Sequence, residues 1–279
     1  MSDRRQSITL DTDIGSDVDD LLALAVILGS PELDLAAVTT VYGDVVLRAR
    51  IVAATLAAAG WVGVPVAPGI GVPRSGREVW WAGHEGSTIA GIDAISVDLT
   101  PDALGLLALT ERVVSIGPLT NVAAALEYPR SRIREVVMMG ASFDERTEHN
   151  VRSDIDSAAI VFESGVTVTT VGVDMTERLR FTETELGNLS GALGAMISAE
   201  VRRYWTYSQQ RWNTPHDAVA VLMLTSPELF EFTSGTVAVE SNGLTRFTPA
   251  IDGRHRIVTD FDLDGAMQEL TERLGRACE

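Results

Sequence analysis

Five aspartates fall within ten residues near the start of the chain, in residues 11–20. Carboxylates this close repel one another and raise one another's pKa unless a cation neutralises them. Oxygen ligands without cysteine or a pair of histidines select calcium or magnesium over zinc. The segment therefore predicts a binding site for a hard divalent cation.

Aspartates in this segment also suit the N-terminus of a helix, where the helix dipole favours negative charge. Capping would account for Asp17 or Asp19, because an apolar helical pattern starts at Leu21. It does not account for Asp11 and Asp13, which directly follow the apolar run of the first predicted strand. We therefore favour the cation site and keep capping as the alternative.

Two later segments combine polar side chains with a turn or a helix start. Gly117-Pro118 follows a predicted strand and forms either a sharp strand-to-helix turn or an anion-binding helix N-terminus. His216-Asp217 opens an apolar helix, where the aspartate could serve only as a cap. Each segment alone is modest support for a functional site.

The composition excludes several kinds of chemistry. All 22 basic residues are arginine, so Schiff-base chemistry, Walker-type phosphate binding and a lysine general base are excluded. The only cysteine is Cys278, which excludes an internal disulfide or a thiolate metal site. A formal net charge of -17 argues against nucleic acid or an anionic membrane as a partner.

The polar segments follow apolar runs that alternate with helical patterns. Strands are predicted at residues 8–10, 35–41, 64–67, 112–116, 136–139 and 166–173, with helices at 21–28, 46–59, 121–126 and 155–163. Residues 183–224 are predicted to be mainly helical. Residues 236–262 predict strands with turns at Asn242-Gly243 and Asp252-Gly253, before a final helix.

This alternation predicts one α/β domain over residues 1–279, with a mostly parallel sheet, flanking helices and a Rossmann-like core. Ligands bind such sheets at the carboxyl ends of the strands, where most of the polar segments lie. The residues before Ile8 are polar, and no apolar run is long enough to span a bilayer. We therefore expect a cytoplasmic protein.

The loop at residues 11–20 resembles the signature of the inosine-uridine-preferring nucleoside hydrolase family, Asp-x-Asp-Pro-Gly-x-Asp-Asp followed by a helix. Ile14 replaces the proline, and two extra residues lie within positions 16–18. The matching residues are Asp11, Asp13, Gly15, Asp19 and Asp20. The resemblance implies that Asp13 is both a metal ligand and the general base, and that Asp20 is a second ligand.

The resemblance continues along residues 8–270. Residues 39–44 resemble a Thr-x-x-x-Gly-Asn segment whose asparagine contacts ribose, and Asp44 stands in its place. Residues 81–86 resemble the loop that covers the base, where His84 either reaches the ligand or has no role. Residues 115–121 resemble a Gly-Pro-Leu-Thr-Asn signature, which implies that the backbone carbonyl of Ile116 is a calcium ligand.

Two further segments complete the resemblance. Residues 139–154 resemble a ribose-binding stretch ending in Glu-Phe-Asn, which implies that Glu148 and Asn150 bind the sugar hydroxyls. Residues 174–176 resemble a strand-end Asp-x-Thr that supports the site. Residues 215–220 resemble the segment that supplies the distal calcium ligand, here Asp217, and a histidine facing the base, here His216. Because the ordinary pKa of histidine lies near neutrality, His216 would protonate the leaving base.

The resemblance therefore implies a calcium-dependent ribonucleoside hydrolase with a nucleoside-hydrolase-like fold. Such an enzyme is an N-glycosidase that releases free base and ribose from a small-molecule ribonucleoside. It also implies a homo-oligomer, either a dimer or a tetramer, and leaves purine or pyrimidine preference open.

Two other functions compete with this interpretation. A non-catalytic, calcium-dependent ribonucleoside-binding protein would keep the metal and ribose residues, and Asp44 in place of asparagine leaves it open. An aspartyl-phosphate phosphatase also has Asp-x-Asp after its first parallel strand. That chemistry normally adds a lysine, which this chain lacks.

Overall fold

The strands of the computed structural model, which describes residues 5–279, join into one nine-stranded sheet. The strand order is β3-β2-β1-β4-β5-β6-β9-β7-β8, and the first seven of these run parallel. Strand β7 runs in the opposite direction and pairs antiparallel with both β9 and β8. The strands are β1 (Gln6–Thr12), β2 (Leu33–Thr40), β3 (Val66–Pro68), β4 (Arg112–Ser115), β5 (Glu135–Met139), β6 (Thr167–Val171), β7 (Phe230–Val239), β8 (Thr245–Pro249) and β9 (His255–Phe261).

Helices connect most of the parallel strands, as the alternating pattern predicts. They are α1 (Asp19–Leu28), α2 (Val45–Ala58), α3 (Ala103–Ala108), α4 (Thr120–Leu126), α5 (His149–Ser153), α6 (Ile155–Glu163), α7 (Val173–Thr176), α8 (Glu183–Leu186), α9 (Gly191–Ser208), α10 (His216–Thr225) and α11 (Leu263–Ala277). The predicted α/β class with a mostly parallel sheet is therefore confirmed.

Apolar side chains on both faces of the sheet pack against layers of helices. In β5, Val136 and Met138 belong to one core cluster, whereas Val137 and Met139 belong to the other. Alternate residues of a strand point to opposite faces, so the two clusters lie on opposite sides of the sheet. This explains why the central strands read as continuous apolar runs rather than alternating ones.

The order of the strands creates a crevice between β1 and β4. The chain first winds from β1 through β2 to β3, and then returns to add β4 on the other side of β1. At such a switch point the two loops after the strands diverge and leave room for a ligand. Residues 13–18 follow β1 and residues 116–119 follow β4, so two of the predicted polar segments border this crevice.

Helix α1 is enclosed on all sides, because it packs against both α10 and α11. All ten of its residues are buried, including the aspartates of its first turn, Asp19 and Asp20. The apolar residues of α1 and α10 explain this burial, since neither helix has a polar face. The packing holds the N-termini of α1 and α10 side by side.

The structure differs from the sequence predictions in a few local features. Strand β6 ends at Val171, and Asp174 lies in the short helix α7 rather than at a strand end. Helix α3 was not predicted, and β7 begins at Phe230, earlier than the predicted strand region. Within residues 5–279, no helix combines the length and the apolarity needed to cross a membrane.

Candidate active site

A cavity of about 490 Å³ opens at the carboxyl ends of β1, β4 and β5. This volume lies in the range of small-molecule sites. Seven residues predicted from the sequence line its wall: Asp13, Asp20, Ile116, Glu148, Asn150, His216 and Asp217. The fold thus brings together positions that are scattered over most of the chain.

Three buried carboxylates meet where α1 and α10 begin. Oxygen atoms of Asp19, Asp20 and Asp217 lie within 4.8 Å of one another. All three residues occupy the first turn of their helix, where the backbone N–H groups provide partial positive charge. The hydroxyl of Thr12 also donates a hydrogen bond to Asp20.

These carboxylates fit a hard divalent cation. Burial raises the pKa of Asp19, Asp20 and Asp217 well above the usual value, and repulsion among the carboxylates raises it further. Asp13 lies in the same cavity and contributes to that repulsion for all three. Helix dipoles alone do not offset such crowding, whereas an oxygen-ligated cation would.

Metal-free protein should lose stability as the pH rises. A carboxyl group whose folded pKa is raised holds a proton that the unfolded chain releases, so the free energy of unfolding falls from about pH 4 upward. Asp19, Asp20 and Asp217 all have raised pKa values. In the presence of chelator, we expect the midpoint temperature of thermal unfolding to decrease as the pH is raised from weakly acidic to neutral. Calcium should remove most of that decrease. Parallel curves with and without calcium would contradict the cation site.

Asp13 is the first residue after β1, and it is 8% exposed. Burial raises the pKa of Asp13, whereas the positive charge of Arg48 lowers it in part. The carboxylate packs against Gly117 of the loop after β4. A Cβ on Gly117 would come 2.8 Å from Asp13 Oδ1 and 2.9 Å from Val41 Cγ1. Glycine at this turn therefore lets the carboxylate keep its position.

If Asp13 is the general base that the resemblance implies, Gly117→Ala should displace its carboxylate and reduce turnover about 10²-fold, the typical cost of misplacing a catalytic group. The matched control is Gly275→Ala on α11, where an added Cβ meets nothing within 4 Å. That change should keep turnover and raise stability by about 0.5–1 kcal/mol. Steady-state rates and unfolding curves of both variants test the prediction. Wild-type turnover in folded Gly117→Ala protein would show that the packing does not constrain Asp13.

Asp11 and Asn121 support the site from beside the cavity. Asp11 Oδ1 accepts hydrogen bonds from Thr39 Oγ1 at 2.6 Å and from Asn121 Nδ2 at 2.8 Å. Asn121 Nδ2 also donates to the carbonyl of Thr40 at 3.1 Å, so it ties β1 and β2 to α4. Burial raises the pKa of Asp11 to about 7, despite those hydrogen bonds.

Asp17 precedes the N-cap position of α1, and that helix has no side-chain cap hydrogen bond at Val18. The Asp17 carboxylate accepts hydrogen bonds from the backbone N–H groups of Val18 and Asp19 at the start of α1. It also accepts a hydrogen bond from the hydroxyl of Tyr204. Burial nevertheless raises the pKa of Asp17 to about 6. This aspartate therefore links the loop after β1 to helix α9.

The side chains of Glu148 and Asn150 are fixed by backbone groups. The Glu148 carboxylate caps α5 by accepting from the N–H groups of Asn150 at 2.7 Å and Val151 at 3.0 Å, and it also accepts from Ala141 N at 3.0 Å. Asn150 Nδ2 donates to the carbonyls of Ile116 and Met139. Both amide hydrogens of Asn150 are thereby used, so only its Oδ1 atom, a hydrogen-bond acceptor, is left for another partner.

His216 is partly exposed at the wall of the cavity, and its pKa differs from the near-neutral value expected from the sequence. Burial lowers the pKa of His216 to about 4. Its Nδ1 atom lies 2.6 Å from Thr176 Oγ1, which leaves Nε2 for other partners. The imidazole is therefore neutral at pH 7. Asp174, of the same Asp-x-Thr segment, accepts a hydrogen bond from the N–H of Phe143 at 3.2 Å.

Asp44 and His84 are not among the residues that line the cavity. Asp44 is exposed and caps α2, where its Oδ1 atom accepts from the N–H of Leu47 at 2.9 Å. His84 Nε2 lies 2.9 Å from the carbonyl of Ser16, and its ring packs edge-on against Tyr207 at 4.5 Å between centroids. Ligand contacts by these two residues stay predictions.

Several cavity-lining residues were not predicted from the sequence to contact a metal or a ligand. They are Ser16, Asp17, Asp19, Trp80, Met139, Arg146, Thr147, His149, Arg152, Val173, Tyr204 and Tyr207. Asp19 belongs to the acidic cluster. The sequence feature that could have identified it is its match to the family signature in the acidic loop. Tyr204 and Tyr207 lie three residues apart on α9, a spacing that brings side chains to one helix face.

Comparison with known proteins gives one consistent result. A family model described as inosine-uridine preferring nucleoside hydrolase matches residues 8–268. The non-specific ribonucleoside hydrolase RihC of Escherichia coli O1:K1 is 33% identical, over 98% of this chain and 99% of that protein. RihC of Shigella boydii serotype 18 is 32% identical with the same coverage.

Solved structures share the fold. A plant nucleoside hydrolase, the PpNRh1 enzyme, superimposes with a TM-score of 0.85 at 24% identity, over 97% of this chain and 99% of that one. The purine-preferring ribonucleoside hydrolase from Gardnerella vaginalis superimposes with a TM-score of 0.79 at 22% identity, over 98% and 99%. At this level of identity the superpositions show the architecture.

Proposed function

The chain belongs to the inosine-uridine preferring nucleoside hydrolase family, and from that premise we propose that it is a calcium-dependent ribonucleoside hydrolase. The reaction would cleave the N-glycosidic bond with water and release free base and ribose. The observation that carries the calcium dependence is the buried cluster of Asp19, Asp20 and Asp217 beside Asp13. Such a cluster needs compensating positive charge, and its donors are oxygen atoms alone.

By the resemblance, Asp13, Asp20, Asp217 and the Ile116 carbonyl would hold the cation, and Asp19, which lies within 4.8 Å of Asp20 and Asp217, would add a further carboxylate to the cluster. When bound, calcium would offset part of the negative charge of these carboxylates and make a coordinated water more acidic. The Ile116 carbonyl already accepts a hydrogen bond from Asn150, and its second lone pair stays free for a ligand. The residues that would hold the ion come from the loops after β1 and β4 and from the first turns of α1 and α10.

Asp13 would accept the proton of the attacking water. A carboxylate suits this role when it lies within hydrogen-bond reach of the water and is ionised. Burial raises the pKa of Asp13, whereas the charge of Arg48, together with a bound cation, would favour the ionised form. Glu148 and Asn150 would accept hydrogen bonds from the ribose hydroxyls and hold the sugar against the acidic cluster. Negative charge around the sugar would stabilise a ring that becomes cationic as the bond breaks.

His216 would donate a hydrogen bond to the leaving base as a neutral imidazole, and the departing base would take up its proton from solvent. If Thr176 donates to Nδ1, the ring hydrogen resides on Nε2, the remaining polar atom of the ring. A pKa of about 4 leaves too little imidazolium at neutral pH for full proton transfer from a charged ring. Tyr204 and Tyr207 line the same cavity and would pack on the base.

The test is ribose release from a panel of inosine, adenosine, guanosine, uridine and cytidine by calcium-loaded protein. Free base would be followed by chromatography and ribose by a reducing-sugar assay, with calorimetric titration of each nucleoside in parallel. Release of both products supports the proposal and gives the base preference. Calcium-dependent nucleoside binding without release would instead favour the non-catalytic binding protein.

Assembly and location follow only from the family and the sequence. We propose a homo-oligomer, either a dimer or a tetramer, which light scattering coupled to size exclusion would measure. A cytoplasmic location also stays a prediction, tested by fractionation of cells that express the protein.

A further inference from the structure

Arg48 is a fully buried cation whose hydrogen bonds go to the loop that begins the acidic cluster. It lies in the first turn of α2 and is 0% exposed. Its Nη1 atom donates to the carbonyls of Asp13 and Ile14, the latter at 2.8 Å, and Nε donates to the carbonyl of Tyr42 at 2.7 Å. Nη2 lies 3.4 Å from Ser16 Oγ.

The partners of Arg48 are oxygen atoms of backbone and hydroxyl groups, not carboxylates. Within residues 5–279 it forms no salt bridge, unlike the buried Arg273. A buried guanidinium without an ion pair is costly unless the surrounding field compensates it. Here that compensation comes from the carboxylates of the cavity, of which Asp13 and Asp20 interact with its charge.

A tight cradle holds the guanidinium in place. The ring of Trp81 lies over it, with 4.8 Å between Arg48 Cζ and the ring centroid. Gly43, at a φ of 76°, lets this ring approach, since a Cβ there would come 2.7 Å from Trp81 Cζ3. Lysine offers neither the planar fork nor the flat face that these contacts use.

We propose that Arg48 is a positioning residue for the reaction. By holding the carbonyl oxygens of Asp13 and Ile14, Arg48 sets the direction of the Asp13 carboxylate. This inference rests on the proposed function, because it assigns Arg48 to the group that accepts the proton. The guanidinium would also act as a permanent internal cation beside the acidic cluster. The sugar-binding residues Glu148 and Asn150 belong to a different loop and would keep their positions without it.

The test compares Arg48→Met, Arg48→Lys and Arg48→Ala with Arg273→Met. Arg273 is a matched control because it is also buried, on α11, and binds Ser30, Glu32 and Glu269 away from the cavity. Arg48→Met should lower kcat about 10²-fold with KM changed by less than about threefold. Arg48→Lys, which keeps only the charge, should recover about tenfold of that loss at most.

Chemical rescue separates positioning from general loss of stability. Methylguanidinium added to Arg48→Ala should restore kcat at least about tenfold, whereas sodium chloride at equal ionic strength should not. Backbone amide hydrogen exchange gives a readout that does not depend on activity. Residues 11–18 should exchange faster in Arg48→Met than in wild-type protein, and at the wild-type rate in Arg273→Met. If Arg48→Met fails to fold, Trp81→Leu should show the same exchange pattern with a smaller loss of kcat.

The proposal is overturned if folded Arg48→Met keeps kcat within about threefold of wild type. It is also overturned if Arg273→Met, with an equal decrease in melting temperature, shows the same large loss of kcat at nearly unchanged KM. Rescue by sodium chloride as strong as by methylguanidinium also overturns it. If wild-type protein releases no ribose from any nucleoside, the proposed function fails while the exchange experiment still decides whether Arg48 holds the loop.

Discussion

Asp13→Asn should lower the turnover number for ribose release about 10³-fold while the protein keeps its fold, because removal of a general base typically costs 10²–10⁴-fold. Asparagine has the size of aspartate but cannot accept the proton of a water molecule. The side chain lies at the wall of the cavity, packed against Gly117, so the isosteric amide fits the same space. Steady-state kinetics on the best nucleoside of the panel give the measurement.

Asp11→Asn is the matched control for this experiment. Asp11 is also buried and lies two residues earlier, but it does not line the cavity. With a pKa of about 7, its neutral form is already populated in neutral solution, so a neutral amide should be tolerated. We expect turnover within about tenfold of wild type. An equal loss in both variants, or near-normal turnover of Asp13→Asn, would remove Asp13 from the role of base.

Asp217→Asn should abolish the stabilisation by calcium and yet make the metal-free protein more stable. The carboxylate closes the acidic cluster from α10, and burial and repulsion both disfavour its charged form. Replacing one charge with a neutral amide relieves that repulsion in the absence of a cation and removes a ligand in its presence. Turnover should fall about 10²-fold or more, since the cation would no longer be held.

Asp154→Asn provides a control of opposite sign. Asp154 is equally buried and accepts from Thr120 Oγ1 at 2.6 Å and from Ser157 Oγ at 2.7 Å. Burial raises its pKa, but those hydrogen bonds outweigh burial and keep the pKa below the usual value. This substitution should destabilise the protein with or without calcium. Unfolding curves of both variants, with and without calcium, give the measurement. A metal-free Asp217→Asn protein that is less stable than wild type would contradict the account of the cluster.

The sequence predicted the architecture because its signals are local. Apolar runs of strand length alternate with helical patterns from Ile8 to the end of the chain, and turns at Asn242-Gly243 and Asp252-Gly253 separate β7, β8 and β9 as expected. The rule that ligands bind at the carboxyl ends of parallel strands then grouped the polar segments. Seven of the nine predicted site residues line one cavity, although their roles stay predictions.

The residues outside the cavity show where local signals fail. Asp44 follows β2 at the correct edge of the sheet, yet its carboxylate caps α2 because the helix starts at the next residue. His84 lies in a loop without regular structure, so nothing local fixed its direction. Sequence position gave the edge of the sheet for these residues but not the orientation of the side chain.

Composition and periodicity alone indicate the α/β fold, the oxygen-rich acidic loop and the absence of lysine chemistry, because these features are encoded locally. The three-dimensional arrangement was needed to show which carboxylates share a site, how far burial moves the pKa of His216, and that Arg48 is buried under Trp81. Those properties depend on distances between helices α1, α2 and α10, which are set by packing across the sheet and not by neighbours in the chain.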